Sequence, residues 1–317
     1  MTSLSHLPMG DGVEFDAIRS LLEVWGSAAV GIGDDAAVLD IPRGEQLVVS
    51  TDASVENVHF RREWLSAEEI GARATAAALS DLAAMAATPR GLLLALTLPE
   101  SWRDQLDALG RGLRAVAVAS ACPVIGGNIT GGSALSLTIT VLGSATRPLT
   151  RSGARAGDVM YVTGQLGGPS AALRELLGAR VPIEAHRARF ASPAPRLQEA
   201  RWLADLGARA GIDISDGLVG DAGQLARASG VTIRIDGARV PCVAGVTPSA
   251  ALTGGEEYEL LVAMPAAAAI DTAAFAERFG VPLTEIGVVE PEGAEPVTVI
   301  GERVDRGGFD HLLAWSS

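Results

Sequence analysis

The chain contains no lysine: all 25 basic residues, among 317, are arginine. A P-loop requires the run Gly-x-x-x-x-Gly-Lys-Ser/Thr, so that class of nucleotide-binding protein is excluded. Aromatic residues are scarce as well, at 4% against a hydrophobic fraction of 48%. Alanine, valine and leucine must therefore fill the core, and small side chains suit close packing of helix on sheet. The two cysteines, Cys122 and Cys242, have neither metal-site nor dithiol spacing, as expected of a reduced cytoplasmic protein. No apolar run approaches the ~20 residues that span a bilayer. The N-terminus has no basic segment followed by an apolar one, so secretion is not expected either. Positive charge is in deficit: the net charge is −13 and the pI about 4.8. That argues against unaided binding to nucleic acid or an anionic membrane. It leaves anionic substrates open, because bound metal ions invert the local potential.

A chain of this length buries a sizeable core and suits two domains better than one. Phe15, Ile18, Leu21, Leu22 and Trp25 recur at helical spacing, which predicts an amphipathic helix over 14–25. Val38-Leu39 and Leu47-Val48-Val49 read as strands on either side of a turn at Pro42–Gly44. Ser66 and Glu69 form a capping box that opens an alanine-rich helix running to about Ala87, ahead of Thr88-Pro89. A buried strand over 92–98, a helix over 100–120 and an alternating strand over 135–142 follow. Before the last of these, Gly126-Gly127-Asn128 reads as a sharp turn after a short strand. Arg, Gly, Pro and Ser accumulate across 146–157, placing a boundary between an N-terminal domain, 1–148, and a C-terminal one, 149–317. The second domain reads as strands over 159–162, 211–216, 231–235, 254–262, 286–289 and 297–300. Helices over 169–178, 197–209, 218–228 and 266–279 complete an α/β pattern.

Acidic residues carry the chemistry. An isolated pair such as Asp34-Asp35 reads as a turn or a helix cap. Asp52, Asp81 and Asp213 change the balance, because each lies next to a strand end or a helix of low polarity. Asp213 and Ser215 are two apart on an extended segment and share a face, and Asp216-Gly217 makes the turn that follows. Oxygen ligands without a His or Cys cluster select Mg²⁺ or Mn²⁺ rather than Zn²⁺. Mg²⁺ shares its shell among carboxylates, waters and phosphate oxygens, which points to a phosphorylated ligand. Glycine turns at 126–127, 164–168 and 254–255 could turn backbone N–H groups toward phosphate. Arg151 reads equally as a phosphate partner and as a surface arginine in a linker. His59 alone reads as a packed or capping residue, Glu256 and Glu257 as functional or merely exposed, and Phe309 with His311 as a terminal anchor.

Taken in chain order, these segments are Gly31-Ile-Gly-Asp-Asp-Ala-Ala-Val-Leu39, Ser50-Thr-Asp52 with Asn57-Val-His-Phe60, and Leu79-Ser-Asp81. Then come Gly126-Gly-Asn128, Thr150-Arg-Ser-Gly-Ala154, Asp213-Ile-Ser-Asp-Gly-Leu218, Gly254-Gly-Glu-Glu-Tyr-Glu-Leu-Leu261 and Gly308-Phe-Asp-His311. Together they resemble the thiamine-monophosphate kinase family, within the superfamily that also holds aminoimidazole ribonucleotide synthetase and selenophosphate synthetase. The resemblance implies ATP-dependent phosphorylation of thiamine monophosphate to thiamine diphosphate, assisted by several Mg²⁺ ions. It implies Asp35, Ser50, Thr51, Asp52, Asp81, Asn128, Asp213 and Asp216 as metal ligands, with Asp52, Asp81 and Asp213 central to catalysis. Gly127, Asn128, Arg151 and Ser215 would contact ATP, while His59, Glu256 and Phe309 would hold thiamine monophosphate. The fold implied is a two-domain α/β one. Its N-terminal domain forms a β-barrel shared across a homodimer, its C-terminal domain is α/β, and the active site lies in the cleft between them.

Four positions depart from the family pattern. Asn128 stands where an aspartate is usual, Ala78 where an asparagine is, and Glu257 where an aspartate is; the arginine common after the glycine pair is replaced near Gly131. These departures bear on ATP affinity and metal count rather than on fold. They also keep open a binding protein weakened in catalysis through Asn128. A sibling synthetase fits less well, since its lysine-bearing motifs are missing.

Overall fold

The computed structural model describes residues 11–304, and two compact units emerge from it. The first comprises residues up to Leu82 together with Ala87–Arg147; the second comprises Ala83–Ala86 and the chain from Pro148.

In the first unit, α1 (Val13–Trp25), β1 (Gln46–Val55), α2 (Ala67–Ala84), β2 (Thr88–Leu98), α3 (Leu106–Ala119), β3 (Val124–Gly131) and β4 (Ser136–Ala145) follow one another. The strands form a sheet in the order β1-β4-β2-β3, antiparallel except for the parallel β2–β3 pair. Among the described residues this sheet stays open and does not close into a barrel. The capping box at α2 is present: Ser66 N–H donates to Glu69 Oε2 (2.8 Å), and Glu69 N–H donates to Ser66 Oγ (3.2 Å). The helix ends earlier than its sequence suggests, in a left-handed residue that is not glycine. Ala86 has φ 52°, its N–H reaches Ala83 O, and Ala87 N–H reaches Leu82 O, the paired bonds of a Schellman ending. Helices α2 and α3 cross through glycine. A Cβ on Gly112 would lie 1.9 Å from Glu68 O, and one on Gly71 would lie 2.1 Å from Leu109 O.

Two sequence expectations fail here. Val38-Leu39 is no strand, and Val38 is 92% exposed; its β-branched side chain has no partner strand to pack against. Gly126-Gly127-Asn128 is not a turn but the middle of β3, an edge strand. Its register slips by one residue between Leu92 and Leu93 of β2, so the glycines mark a bulge. Gly127 is required because a Cβ there would sit 2.1 Å from Leu94 O.

The second unit carries β5 (Val159–Thr163), α4 (Gly168–Leu177), α5 (Glu184–Ala191), α6 (Leu197–Asp205), β6 (Ala210–Asp213), α7 (Leu218–Ser229) and β7 (Val231–Asp236). After these come α8 (Pro248–Thr253), β8 (Leu260–Met264), α9 (Thr272–Phe279), β9 (Leu283–Pro291) and β10 (Val297–Ile300). The six strands form one mixed sheet, β10-β7-β9-β5-β8-β6, parallel only at β10–β7. Its core joins Met160, Val162, Ile212, Leu261 and Ile286 of the sheet, and Ile214 just after β6, to Leu218, Ala222 and Leu225 of α7, all essentially fully buried. Leu149 N–H closes onto Met85 O at 2.9 Å, so residues 83–86 are stitched into this unit. The glycine run 254–255 does not open a strand directly: residues 254–259 are irregular and β8 begins at Leu260.

Candidate active site

In the first unit, strand alternation sorts the candidates. Ser50 and Asp52 point to the same side of β1, and Ser50 Oγ donates to Asp81 Oδ2 on α2. Thr51 turns the other way, with Oγ1 3.1 Å from Thr140 Oγ1 on β4. A hydroxyl and two carboxylates on β1 and α2 therefore present hard oxygen donors suited to Mg²⁺. Asp35 lies in the exposed, irregular segment before β1, and Asn128 is exposed on β3 beside Gly127. His59 follows β1 in a tight loop, where Val55 N–H donates to its Nδ1 at 3.1 Å. A ring nitrogen that accepts is unprotonated, which places the proton of the neutral ring on Nε2.

The second unit gathers its candidates around one turn. Asp213 closes β6 and is 6% exposed. Ser215 and Asp216 then lead through Gly217 (φ 114°) into α7. Their two N–H groups both donate to Asp221 Oδ2, at 3.1 and 3.0 Å. Gln224 Nε2 donates to Asp221 Oδ1 (3.4 Å) and Arg151 Nη1 to Gln224 Oε1 (2.7 Å), so Arg151 and the turn are linked side chain to side chain. Glu256 rests on the same turn: its N–H donates to Ser215 O (2.7 Å), and Tyr258 N–H donates to Ile214 O (2.9 Å). Arg151, Asp213, Ser215, Asp216 and Glu256 thus belong to one constellation. Phe309 lies outside the described residues.

Asp221 and Glu257 had no role from sequence. Asp221 sits one turn into a helix, where an acid looks like an ordinary dipole partner, and only its burial (1% exposed) gives it away. Burial pushes its carboxyl up to about 7, and the charges of Asp216 and Asp213 act in the same direction. Glu257 is buried rather than exposed, and burial pushes its carboxyl up to about 8, reinforced by Glu259 and Glu256 and opposed by Gly167 N–H and Arg189. Both groups bind a proton more tightly folded than unfolded, where a carboxyl titrates near 4. Their contribution to stability is therefore full below about pH 4 and is lost as pH rises toward 8. Melting of the metal-free protein from pH 5 to 9 is expected to show a falling Tm. Glu257→Gln should remove roughly half of that slope.

Among the described residues, no three His, Cys, Asp or Glu side chains form a group that could hold a metal ion unaided. The donor set still fits Mg²⁺, which takes few protein ligands and completes its shell with water and phosphate oxygens. Among those residues no helix is long and apolar enough to cross a membrane.

Known proteins give the constellation its context. Residues 33–145 match the family model of the AIR synthase related protein N-terminal domain, and 155–302 that of the C-terminal domain. The thiamine-monophosphate kinase of Escherichia coli K12 is 38% identical over 324 residues, spanning 94% of this chain and 95% of that one. The chain belongs to the thiamine-monophosphate kinase family. The crystal structure of the thiamine-monophosphate kinase from Stenotrophomonas maltophilia K279a superposes with a TM-score of 0.80 at 36% identity, covering 86% of this chain and 91% of that one. The structure of AaThiL complexed with AMPPCP and TMP gives 0.74 at 32%, covering 93% and 94%.

Proposed function

We propose that this protein transfers the γ-phosphoryl group of ATP to thiamine monophosphate, forming thiamine diphosphate and ADP. The observation that carries the reading is identity with a thiamine-monophosphate kinase along nearly the whole chain, joined to likeness with a relative complexed with AMPPCP, an ATP analogue, and TMP. The residues suit the chemistry on their own terms. The acceptor is a phosphate monoester with a second pKa near 6, so it is mostly dianionic at neutral pH and needs no general base. The obstacle is charge, since ATP and acceptor together bring roughly six negative charges to the reaction.

Mg²⁺ would supply the compensating positive charge and hold phosphate oxygens in line. Asp35, Ser50, Asp52, Asp81 and Asn128 would hold it on the first unit, and Asp213 and Asp216 on the second; Thr51, whose hydroxyl faces Thr140, would take part through its backbone carbonyl. Asp52, Asp81 and Asp213 would be the ligands on which transfer depends. Gly127, Asn128, Arg151 and Ser215 would bind ATP; His59, Glu256 and Phe309 would bind thiamine monophosphate. Arg151, paired with the neutral Gln224 rather than with a carboxylate, keeps its charge for phosphate. Transfer is direct, with no phosphoenzyme. The first domain, 1–148, would serve metal and nucleotide binding and dimerisation; the second, 149–317, completes the substrate sites. A homodimer is supported by β1, an edge strand with Leu47 51% and Val49 53% exposed. Its pairing would close the open sheet into a shared barrel. The reaction would run in the cytoplasm, where ATP is supplied.

A turnover assay tests the reading. Thiamine monophosphate with MgATP is expected to give thiamine diphosphate and ADP, while thiamine and unrelated monophosphates give none. No diphosphate at saturating Mg²⁺ and substrate would overturn it.

A further inference from the structure

The loop that carries Glu256 is held by its neighbours in an unusual way. Glu256 has φ 65° and Tyr258 has φ 52°, both in the left-handed region that side-chain-bearing residues rarely occupy. Such a conformation persists only where the surroundings over-determine it. Gly255 faces the turn so closely that a Cβ would lie 2.5 Å from Ser215 O, and one on Gly254 would lie 2.3 Å from Ser170 Oγ.

Two buried carboxyls pin the loop from below. Glu259, 1% exposed, accepts from Thr163 Oγ1 (2.7 Å) and receives a two-pronged contact from Arg196 at 2.7 and 2.6 Å. Burial works against the guanidinium charge of Arg196, and the bonds to Glu259 more than offset it, so its pKa is raised. Glu259 is therefore a satisfied, structural ion pair. Glu257 is different. It is 7% exposed, its Oε1 accepts Gly167 N–H at 2.6 Å, and its Oε2 has no hydrogen-bond partner among the described residues. Its bond crosses to the residue that precedes α4, Gly167, itself left-handed at φ 92°.

We propose that Glu257 is a positioning residue for substrate binding: by fastening the strained Gly255–Tyr258 segment to the Gly167 turn, it fixes the direction in which Glu256 is presented. This rests on the proposed role of Glu256 in holding thiamine monophosphate. Glu257 sits next to Glu256 and is too buried to be a ligand itself. Its single made bond is to a backbone N–H, which a neutral acceptor serves as well as a charged one. The effect is therefore on the affinity for one substrate, not on nucleotide binding or on the chemical step.

The test is steady-state kinetics on the full-length protein, with KM measured separately for thiamine monophosphate and for MgATP. Glu257→Ala is expected to raise the first about tenfold and leave the second within about twofold, with kcat little changed. Glu257→Gln keeps the acceptor oxygen and should stay within about threefold of wild type for both. Should the alanine variant fail to fold, Glu257→Met fills the same volume, leaves only Gly167 N–H unpaired and is expected to show the same split. Glu256→Ala separates the two layers of the argument. If it leaves the KM for thiamine monophosphate unchanged, the assignment of Glu256 fails and the proposal with it. If it raises that KM while folded Glu257→Ala or Glu257→Met does not, only the positioning role is overturned. Parallel rises in both KM values, or a glutamine variant as impaired as the alanine one, would mark Glu257 as merely structural.

Discussion

Replacing Asp81 by asparagine is expected to nearly abolish turnover while leaving the fold intact, and Asp52→Asn should do the same. Asparagine keeps the shape of the side chain, and at position 81 its amide oxygen can still accept from Ser50 Oγ, the contact that ties α2 to β1. What disappears is one negative charge that would hold Mg²⁺. A metal offsetting phosphoryl charge is worth several kcal/mol in the transition state, and each ~1.4 kcal/mol is tenfold in rate. The loss should thus reach about a thousandfold. Both side chains are only partly buried, so the melting temperature should move by no more than about 2 °C. A collapse in Tm with either variant would identify the carboxylate as structural; retained turnover would remove it from the reaction.

The largest effect on stability is expected from Gly112→Ala. The added methyl would stand 1.9 Å from Glu68 O and 2.7 Å from Ala72 N, both backbone atoms of α2 that no rotamer change can move away. The two helices would have to separate, opening a region where Ala76, Leu79 and Leu113 are 0–1% exposed. Overpacking of this kind costs about 3 kcal/mol, which corresponds to a Tm loss on the order of 10 °C. Arg111→Ala is the control: its contact with Glu68 is exposed and 3.4 Å long, so a change of under about 0.5 kcal/mol is expected. Equal melting of Gly112→Ala and wild type would show that the crossing is looser than the backbone indicates.

Features with a local cause were legible in the sequence. The Ser66–Glu69 box and the alternation of β4 each depend on residues a few positions apart. Features set by distant partners were not. Gly126-Gly127 looks like a turn by composition, yet glycine is demanded there by the carbonyl of Leu94 on the neighbouring strand. Helices α5 and α8, at 8 and 6 residues, carry too little periodicity to stand out. The site follows the same rule. Motif order named Asp213, Ser215 and Asp216, but the carboxylate that organises their backbone, Asp221, shows its role through its burial and the bonds it receives. By spacing alone Arg151 reads equally as a phosphate partner and as a linker arginine; its contact with Gln224, 73 positions away, ties it to the turn. Glu257 was undecidable because burial is a property of the folded chain.

The stitch between Leu149 and Met85 has a consequence for how the gene can be divided. The C-terminal unit is not a continuous stretch, since it takes in Ala83–Ala86 as well as everything from Pro148. A fragment starting at 148 would begin with the N–H of Leu149 deprived of its carbonyl and with Gly211, against which Ala84 O packs, uncovered. One cut therefore cannot yield two whole modules. The halves are interlaced in the order of their codons, and an insertion, deletion or exchange of one domain has to carry those four residues with the other.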